Sequence, residues 1–224
     1  MTFSIVARSA DLKMFGMAIA SSSPAVAARC AHARAGIGAV ATQNITDPAL
    51  GPRILACLAH GAGAQEALAE ALRSTPFGAY RQLLAIGPQG APAVHSGVHA
   101  LGLVGSAVGA HSAAAGNLLA GTDVPARMVA AFESAGGQFG ARLLAAMQAG
   151  LDRGGEAGPI HSAGLLIVRE MTWPIVDLRV DWAETDPLGA LARTFEVYAP
   201  QIEAYVQRAL DPAAAPSFAV PGDL

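Results

Sequence analysis

The sequence is poor in charged residues and almost lacks lysine. Of its 224 residues, 14% are Asp, Glu, Lys or Arg, and Lys13 is the single lysine. A P-loop needs a lysine within a GxxxxGK pattern, which is absent, so this kind of nucleotide site is excluded. The formal net charge of −3 gives no basic footprint, and we therefore expect no nucleic-acid partner.

The scarcity of charge also predicts extensive burial. Soluble proteins usually carry about a quarter charged residues, whereas this chain has far fewer and is 53% hydrophobic. Such a chain can bury a large core, and association of subunits buries further apolar surface. We therefore expect a homo-oligomer.

Cysteine is scarce as well, since only Cys30 and Cys57 are present. Two cysteines are too few for a disulfide framework or a cysteine-based zinc site, so we expect reduced thiols. The first residues lack a charged region followed by an apolar one, which predicts no signal peptide. A cytoplasmic location is the expectation.

The longest uncharged stretch runs from residue 82 to residue 122. Its length suits a membrane span, but Pro88, Pro92 and several glycines interrupt it, and large aliphatic residues are sparse. Strands that are buried on both faces and joined by tight turns explain it better. We expect no membrane contact.

Three short apolar runs, separated by turn or loop signals, lie within the first 43 residues. They cover residues 3–8, 15–21 and 36–43. Short apolar runs bounded in this way predict strands, and we place all three in one sheet. The segment 26–34 is interpreted as a link between the second and third strands.

Helices and pairs of strands alternate along the rest of the chain. Apolar spacing predicts helices at residues 49–60, 64–73, 124–134, 138–151 and 188–210. Further strands are predicted at residues 80–86, 91–96, 102–109, 111–119, 161–170 and 176–181. This order favours an α+β fold with two antiparallel sheets stacked between helix layers. We expect one domain over residues 1–210 and an Ala/Pro-rich tail over residues 211–224.

Several short sequence pieces follow the order of a known family. They are TFSIVAR (2–8), AGIGAVATQ (35–43), GPR (51–53), RQ (81–82), GNLLA (116–120) and VDLRVD (176–181). By these pieces, and over about residues 2 to 195, the chain resembles the domain-of-unknown-function family 1028, in the N-terminal-nucleophile (Ntn) hydrolase-like superfamily. The resemblance implies a four-layer αββα sandwich, which agrees with the element order.

The resemblance also implies a chemistry. Ntn hydrolases cleave amide bonds with the side chain of the first residue of the mature chain, and its α-amine can serve as the base. An α-amine pKa of about 8 suits a base that works near neutral pH. Carried onto this chain, the catalytic residue is Thr2 after loss of Met1, the substrate is a small molecule with an amide bond, and no cofactor is implied.

Two hydroxyl groups near Thr2 are candidate substrate contacts. Ser4 lies two residues further along the strand and therefore on the same face as Thr2. Ser21 ends the neighbouring strand, shortly before Pro24. Each residue also has a structural alternative. Ser4 would cap a strand pair, Ser21 would be a polar residue of the turn before Pro24, and Thr2 would be an ordinary β-branched strand residue.

Gln43, Asn117 and Arg53 are the other candidate substrate contacts. Amide groups such as those of Gln43 and Asn117 can orient a carbonyl group or stabilise an oxyanion. An arginine such as Arg53 can bind a carboxylate through two parallel hydrogen bonds. The alternatives are buried amides that satisfy loop backbone groups and, for Arg53, a structural salt bridge.

A function of another class competes with the hydrolase. A non-catalytic protein of this fold would bind a small ligand or serve as an assembly subunit. The sequence favours it where it departs from the family pattern, at Gly105-Ser106, Ala115 and Ile160-His161-Ser162. An attached Met1 would also block the Thr2 amine.

A metal-dependent hydrolase that uses His95, His99 and His111 is the third interpretation. His95 and His99 have i,i+4 spacing but no accompanying Glu, so the zincin pattern fails. This interpretation requires the three imidazole rings to converge on one point, and we expect no metal ion.

Overall fold

A computed structural model of the chain describes residues 1–218, which form ten strands and seven α-helices. The strands are β1 (Thr2–Arg8), β2 (Phe15–Ser21), β3 (Ala31–Arg34), β4 (Gly38–Asn44), β5 (Arg81–Ile86), β6 (Ala93–Ser96), β7 (Gly105–Val108), β8 (Ser112–Asn117), β9 (Ser162–Val168) and β10 (Val176–Val180). The helices are α1 (Val26–Cys30), α2 (Leu50–Ala59), α3 (Ala64–Arg73), α4 (Val124–Ser134), α5 (Phe139–Asp152), α6 (Pro187–Tyr198) and α7 (Ile202–Leu210).

The strands form two sheets in which every neighbouring pair is antiparallel. The first sheet has six strands in the order β10-β9-β2-β1-β8-β7, and the second has four in the order β3-β4-β5-β6. The predicted α+β fold with two antiparallel sheets is confirmed. None of the helices within residues 1–218 has the length and apolar character needed to span a membrane.

Three clusters of apolar side chains fill the space between four layers. Phe3 and Phe132 belong to the cluster between the six-stranded sheet and helices α4, α5 and α6. Val6 and Leu84 belong to the cluster between the two sheets. Ile54 belongs to the cluster between the four-stranded sheet and helices α2 and α3. The order of the layers is therefore helix, sheet, sheet, helix, as expected.

Strand β1 lies inside the six-stranded sheet, between β2 and β8. Successive side chains of a strand point to opposite faces. Phe3 and Ile5 accordingly pack toward the helices, whereas Ser4 and Val6 face the four-stranded sheet. Thr2 shares this second face, so the polar start of β1 lies at one end of the layer between the sheets.

Arg8 ties the opposite end of β1 to the second sheet. The side chain is buried, and its guanidinium group donates to the carbonyl oxygens of Gly87 at 2.7 Å, Gly90 at 2.9 Å and Ala110 at 3.2 Å. Gly87 and Gly90 belong to the turn between β5 and β6. These bonds fix that turn against the first strand.

The prediction that the first three strands share one sheet was wrong. Strand β4 lies in the four-stranded sheet, while β1 and β2 lie in the other. The segment predicted as a link contains helix α1 and strand β3, and it carries the chain from one sheet to the other. A hairpin turn determines the pairing only of strands that it joins directly, and no such turn joins β2 to β4.

The last predicted helix is divided in two. Helix α6 ends at Tyr198, a 3₁₀ turn follows over Ala199–Gln201, and α7 begins at Ile202. Pro200 within this turn has no N–H to donate, which explains the interruption. Part of the predicted tail folds back on α7, because the Arg208 guanidinium lies 3.5 Å from the centroid of the Phe218 ring. Residues 219–224 of that tail lie outside the described residues.

Candidate functional site

A row of polar residues crosses four strands at one end of the six-stranded sheet. Thr2 is directly opposite Ser21 of β2 on one side and Asn117 of β8 on the other, and Ser21 is opposite Ser162 of β9. Residues directly opposite each other present their side chains on the same face. All four are buried, and Thr2 is the most exposed of them at 6%.

Two hydroxyl groups of this row converge on the carbonyl oxygen of Met1. Thr2 Oγ1 donates to it at 2.5 Å, and Ser21 Oγ donates to it as well. The two hydroxyl oxygens are 3.2 Å apart. Ser21 Oγ also accepts the backbone N–H of Ser23 at 3.0 Å, which fixes the position of the hydroxyl group. The carbonyl group that precedes Thr2 is therefore held by two donors.

Side-chain amides continue the polar cluster into the layer between the sheets. Ser4 Oγ donates to Gln43 Oε1 at 2.6 Å, and Gln43 Nε2 donates to Gln82 Oε1 at 2.7 Å. Asn117 Nδ2 donates to the same Gln82 oxygen at 3.0 Å, and Gln82 Nε2 donates to Ser96 Oγ at 2.9 Å. A buried network whose members are paired favours one arrangement of the two sheets.

Glu156 lies beside this cluster, in the glycine-rich loop between α5 and β9. Backbone bonds hold this loop against the segment after β8. Glu156 forms a β-bridge with Leu119, and the Ala157 N–H donates to the carbonyl oxygen of Leu118 at 2.8 Å. Gly155 has a φ of +58°, a left-handed conformation that glycine adopts without strain.

Glu156 is 4% exposed, and neither of its carboxylate oxygens has a hydrogen-bond donor in good geometry among residues 1–218. Burial raises the pKa of Glu156 to about 7, and the Met1 α-ammonium group opposes this shift. His161 also lowers this pKa through its charge. The hydroxyl and N–H groups of Ser22 lower it further, although neither group meets the geometric criteria of a hydrogen bond. The charge of the Met1 α-ammonium group thus acts on a buried carboxyl group whose pKa is about 7.

The structure brings most of the predicted site residues together but leaves Arg53 apart. Ser4, Ser21, Gln43 and Asn117 join Thr2 in the cluster described above. Arg53 is exposed on α2, in the helix layer beyond the four-stranded sheet, and among the described residues it makes no hydrogen bond or ion pair. Its role in binding a carboxylate stays a prediction.

The three histidines of the metal interpretation do not form one group. His95 Nε2 lies 3.1 Å from the carbonyl oxygen of Gly78 and the His99 ring contacts Tyr80, so both rings lie beside the 3₁₀ turn Gly78–Tyr80. The backbone N–H of His111 donates to Glu133 instead. In the described part of the chain, no group of three or more His, Cys, Asp or Glu side chains is placed to hold a metal ion.

Cys30 is a poor competing nucleophile. Cys30 and Cys57 are both free thiols. Burial raises the pKa of the Cys30 thiol, and the raised pKa disfavours the reactive thiolate.

Sequence reasoning missed four residues that form or border the cluster, namely Gln82, Ser96, Glu156 and Ser162. A signal was present for Gln82, because a polar residue opening an apolar strand and the long uncharged stretch needs a buried partner. Glu156 gave no such signal, since an acidic residue in a glycine-rich loop is usually solvated. Its burial depends on contacts with Leu119 that only the fold provides.

Comparisons with known proteins agree with this architecture. The family model described as "Family of unknown function (DUF1028)" matches residues 2–191. Among solved structures, the chain is similar to the crystal structure of protein SPO2555 from Silicibacter pomeroyi, which carries the same family model. The TM-score is 0.83 at 28% identity, and the match covers 91% of this chain and 94% of the other. No curated protein matches the chain.

Proposed function

We propose that this chain, which belongs to the DUF1028 family of unknown function, is an Ntn-type hydrolase that cleaves an amide bond in a small molecule. Thr2 is the nucleophile once Met1 has been removed. One observation carries the proposal, the convergence of the Thr2 and Ser21 hydroxyls on the carbonyl oxygen that precedes Thr2. A carbonyl group beside a nucleophilic hydroxyl and polarised by a second donor is what acyl transfer requires.

Removal of Met1 supplies the base that the mechanism needs. The free α-amine of Thr2 has an ordinary pKa of about 8 and can accept the proton of its own hydroxyl group. Thr2 Oγ1 then attacks the amide carbon, and the Ser21 hydroxyl donates to the developing oxyanion. The α-ammonium group returns the proton to the leaving amine, and water hydrolyses the resulting Thr2 ester.

The remaining cluster residues have supporting roles in this proposal. Asn117, opposite Thr2, orients the substrate carbonyl, while Ser4 and Gln43 hold β1 and β4 at a fixed distance. Arg53 contacts only a substrate whose carboxylate extends to α2. The groups that touch the reacting atoms are thus Thr2, Ser21 and Asn117.

The timing of Met1 removal follows from burial. Thr2 is 6% exposed and pairs with strands on both sides. A processing enzyme cannot reach the Met1–Thr2 bond in this arrangement, so we propose that Met1 leaves during synthesis, before β1 is incorporated into the sheet.

The test is an amidase screen with protein whose first residue is shown by mass to be Thr2. We expect Thr2→Ser to retain hydrolysis and Thr2→Ala to lose it by about a thousandfold or more, because the nucleophile is gone. Thr194→Ala, which removes an exposed hydroxyl group on α6, is the matched control and should behave as the wild type. Equal turnover by Thr2→Ala and the wild type would refute the mechanism.

A non-catalytic ligand-binding or assembly role is the second candidate. The burial of Gln43 and Asn117, whose amide nitrogens already donate within the network, favours it. This role predicts a retained Met1 and no effect of Thr2→Ala on hydrolysis. The hydrolase role predicts the reverse on both counts.

We also propose that the protein is a cytoplasmic homo-oligomer. The free thiols of Cys30 and Cys57 support the location. Exposed apolar side chains between β6 and the end of β7, among them Val98 at 87%, Leu103 and Val108, support the association. Sedimentation velocity tests the association, and a single monomeric species would contradict it.

A further inference from the structure

We propose that the Thr2 site takes α-aminoacyl groups, which carry a free α-ammonium group, and that Glu156 is the counter-ion of that group. The preferred side chain is unbranched and apolar, as in an L-methionine amide. This inference rests on the proposed function, because it names the substrate class of the same site. It comes from the way Met1 itself occupies the site.

Met1 contacts the site through its carbonyl oxygen and its side chain. The carbonyl oxygen accepts the hydroxyls of Thr2 and Ser21, and the side chain packs on the backbone of Gly158. Its α-ammonium group makes no hydrogen bond with Glu156, but its positive charge lowers the pKa of that carboxyl group. The carbonyl group and side chain of Met1 therefore have the contacts expected of a bound aminoacyl group, with the ammonium charge acting on Glu156.

The position of Met1 is also relevant to the reaction chemistry. The Met1 acyl group is attached to the Thr2 nitrogen, whereas the proposed intermediate carries its acyl group on Thr2 Oγ1. These two atoms of one residue exchange an acyl group through a small cyclic intermediate, without loss of atoms or electrons. An acyl group on Thr2 Oγ1 therefore overlaps the space that Met1 occupies.

Glu156 supplies the selectivity for the ammonium group. It is 4% exposed, and neither carboxylate oxygen has a hydrogen-bond donor in good geometry among residues 1–218. A buried carboxylate without a partner is costly, and a ligand cation placed beside it removes much of that cost. Ser22 and His161 are the other groups that act on this carboxyl, and both lower its pKa, as the ammonium does.

Gly158 supplies the room for the side chain. A Cβ atom at this position would lie 3.0 Å from Met1 Cε and 3.5 Å from Met1 Sδ. The end of an unbranched side chain therefore reaches this backbone, and an added methyl group would occupy its space. A shorter side chain, such as that of alanine, would not extend to this contact.

The test measures binding without turnover, by calorimetry on the Thr2→Ala variant with its first residue verified by mass. The probes are L-methioninamide and N-acetyl-L-methioninamide, which differ in the ammonium group. We expect the free amine to bind about tenfold more tightly, because it pairs with a buried charge. Adding Glu156→Gln should abolish this preference, whereas Glu66→Gln, which neutralises an exposed carboxylate on α3, should preserve it.

A second comparison tests the side-chain contact. Gly158→Ala should weaken binding of L-methioninamide and leave binding of L-alaninamide unchanged. The inference is overturned if the acetylated probe binds as tightly as the free amine, or if Glu156→Gln leaves the preference intact. If Thr2 is not a nucleophile, the Thr2→Ala variant should still bind the free amine more tightly than the acetylated probe. Failure of the proposed hydrolysis and failure of the proposed ammonium recognition are therefore distinguishable.

Discussion

Gln82 is the residue that joins the two sheets through hydrogen bonds at the end where Thr2 lies. Its oxygen accepts from Gln43 and Asn117, and its nitrogen donates to Ser96 and to the carbonyl oxygen of Gly116 at 3.0 Å. The side chain is fully buried. A buried amide with four partners leaves several groups unsatisfied when it is removed, so its cost exceeds that of one bond.

We predict that Gln82→Leu destabilises the protein by about 2–4 kcal/mol, since Leu has a similar volume but no polar atoms. The free energy of unfolding in urea measures this. Gln65→Leu removes an exposed amide on α3 and should change stability by less than about 0.5 kcal/mol. If Gln82→Leu lowers the free energy of unfolding as little as Gln65→Leu does, the network does not hold the sheets together.

The second prediction concerns Glu156 and the pH dependence of stability. Its folded-state pKa of about 7 lies above the ordinary value of 4.5, so the folded state keeps a proton that the unfolded state releases. The stability from this group is fully present below pH 4.5 and is lost as the pH rises through 7. Between pH 5 and pH 8 this loss amounts to about 2–3 kcal/mol.

Glu156→Gln removes this titration. The stability of this variant relative to the wild type should therefore rise by about 2–3 kcal/mol between the two pH values. Urea unfolding at both pH values measures the change, on proteins with the same N-terminus. Glu66→Gln should show no such trend, and a parallel pH dependence of wild type and Glu156→Gln would disprove the raised pKa.

At the scale of elements, the sequence predicted the helices and strands that a local apolar pattern or a flanking turn defines. Helix α3 has the predicted bounds, because Leu68 faces the core while Glu66 and Glu70 face solvent. Strand β3 was missed, since its four residues alternate alanine with His32 and Arg34 and carry no large apolar side chain. Its strand conformation depends on pairing with β4, which no local pattern encodes.

The same distinction applies to the candidate site. Ser4 could be placed beside Thr2 because both lie on one strand, two residues apart. The contact between Gln43 and Gln82 joins β4 to β5 across two helices of intervening chain, so only the register of the folded sheet reveals it. The burial of Glu156 is even harder to predict from the sequence, because it requires the loop between α5 and β9 to pair with the segment after β8.

The third prediction concerns two glycines, one in the turn between β3 and β4 and one at the start of β4. Gly38 has a φ of +153°, and a Cβ atom there would lie 2.2 Å from the carbonyl oxygen of Ile86. Gly36 has a φ of +69° but no atom within 4 Å of such a Cβ. Gly38→Ala therefore combines strain with a clash against backbone, whereas Gly36→Ala carries strain alone.

We expect thermal or urea unfolding to show a loss of about 1 kcal/mol for Gly36→Ala and about 2–4 kcal/mol for Gly38→Ala. Two equal losses would mean that β4 can shift away from β5 at this point. The β4–β5 pairing would then hold Gln43 and Gln82 less firmly than the network requires.

At the scale of the whole molecule, the four layers place the start of the chain at one end of the layer between the sheets. The first residues of most proteins are solvated and free of tertiary contacts. Here Thr2 is buried between Ser21 and Asn117, and Met1 is held by hydroxyl groups while its ammonium charge acts on Glu156. The fold thus buries Thr2 within a polar cluster while Met1 is half-buried beside it, which is the basis of the proposed site.

The central claim is that Thr2, with a free α-amine, is the nucleophile of this site. The most direct test is the intact mass of the protein made without an N-terminal tag. We predict that nearly every chain lacks the mass of one methionine residue and begins at Thr2. If Met1 remains on nearly every chain, the Thr2 amine is blocked and the N-terminal-nucleophile mechanism is contradicted.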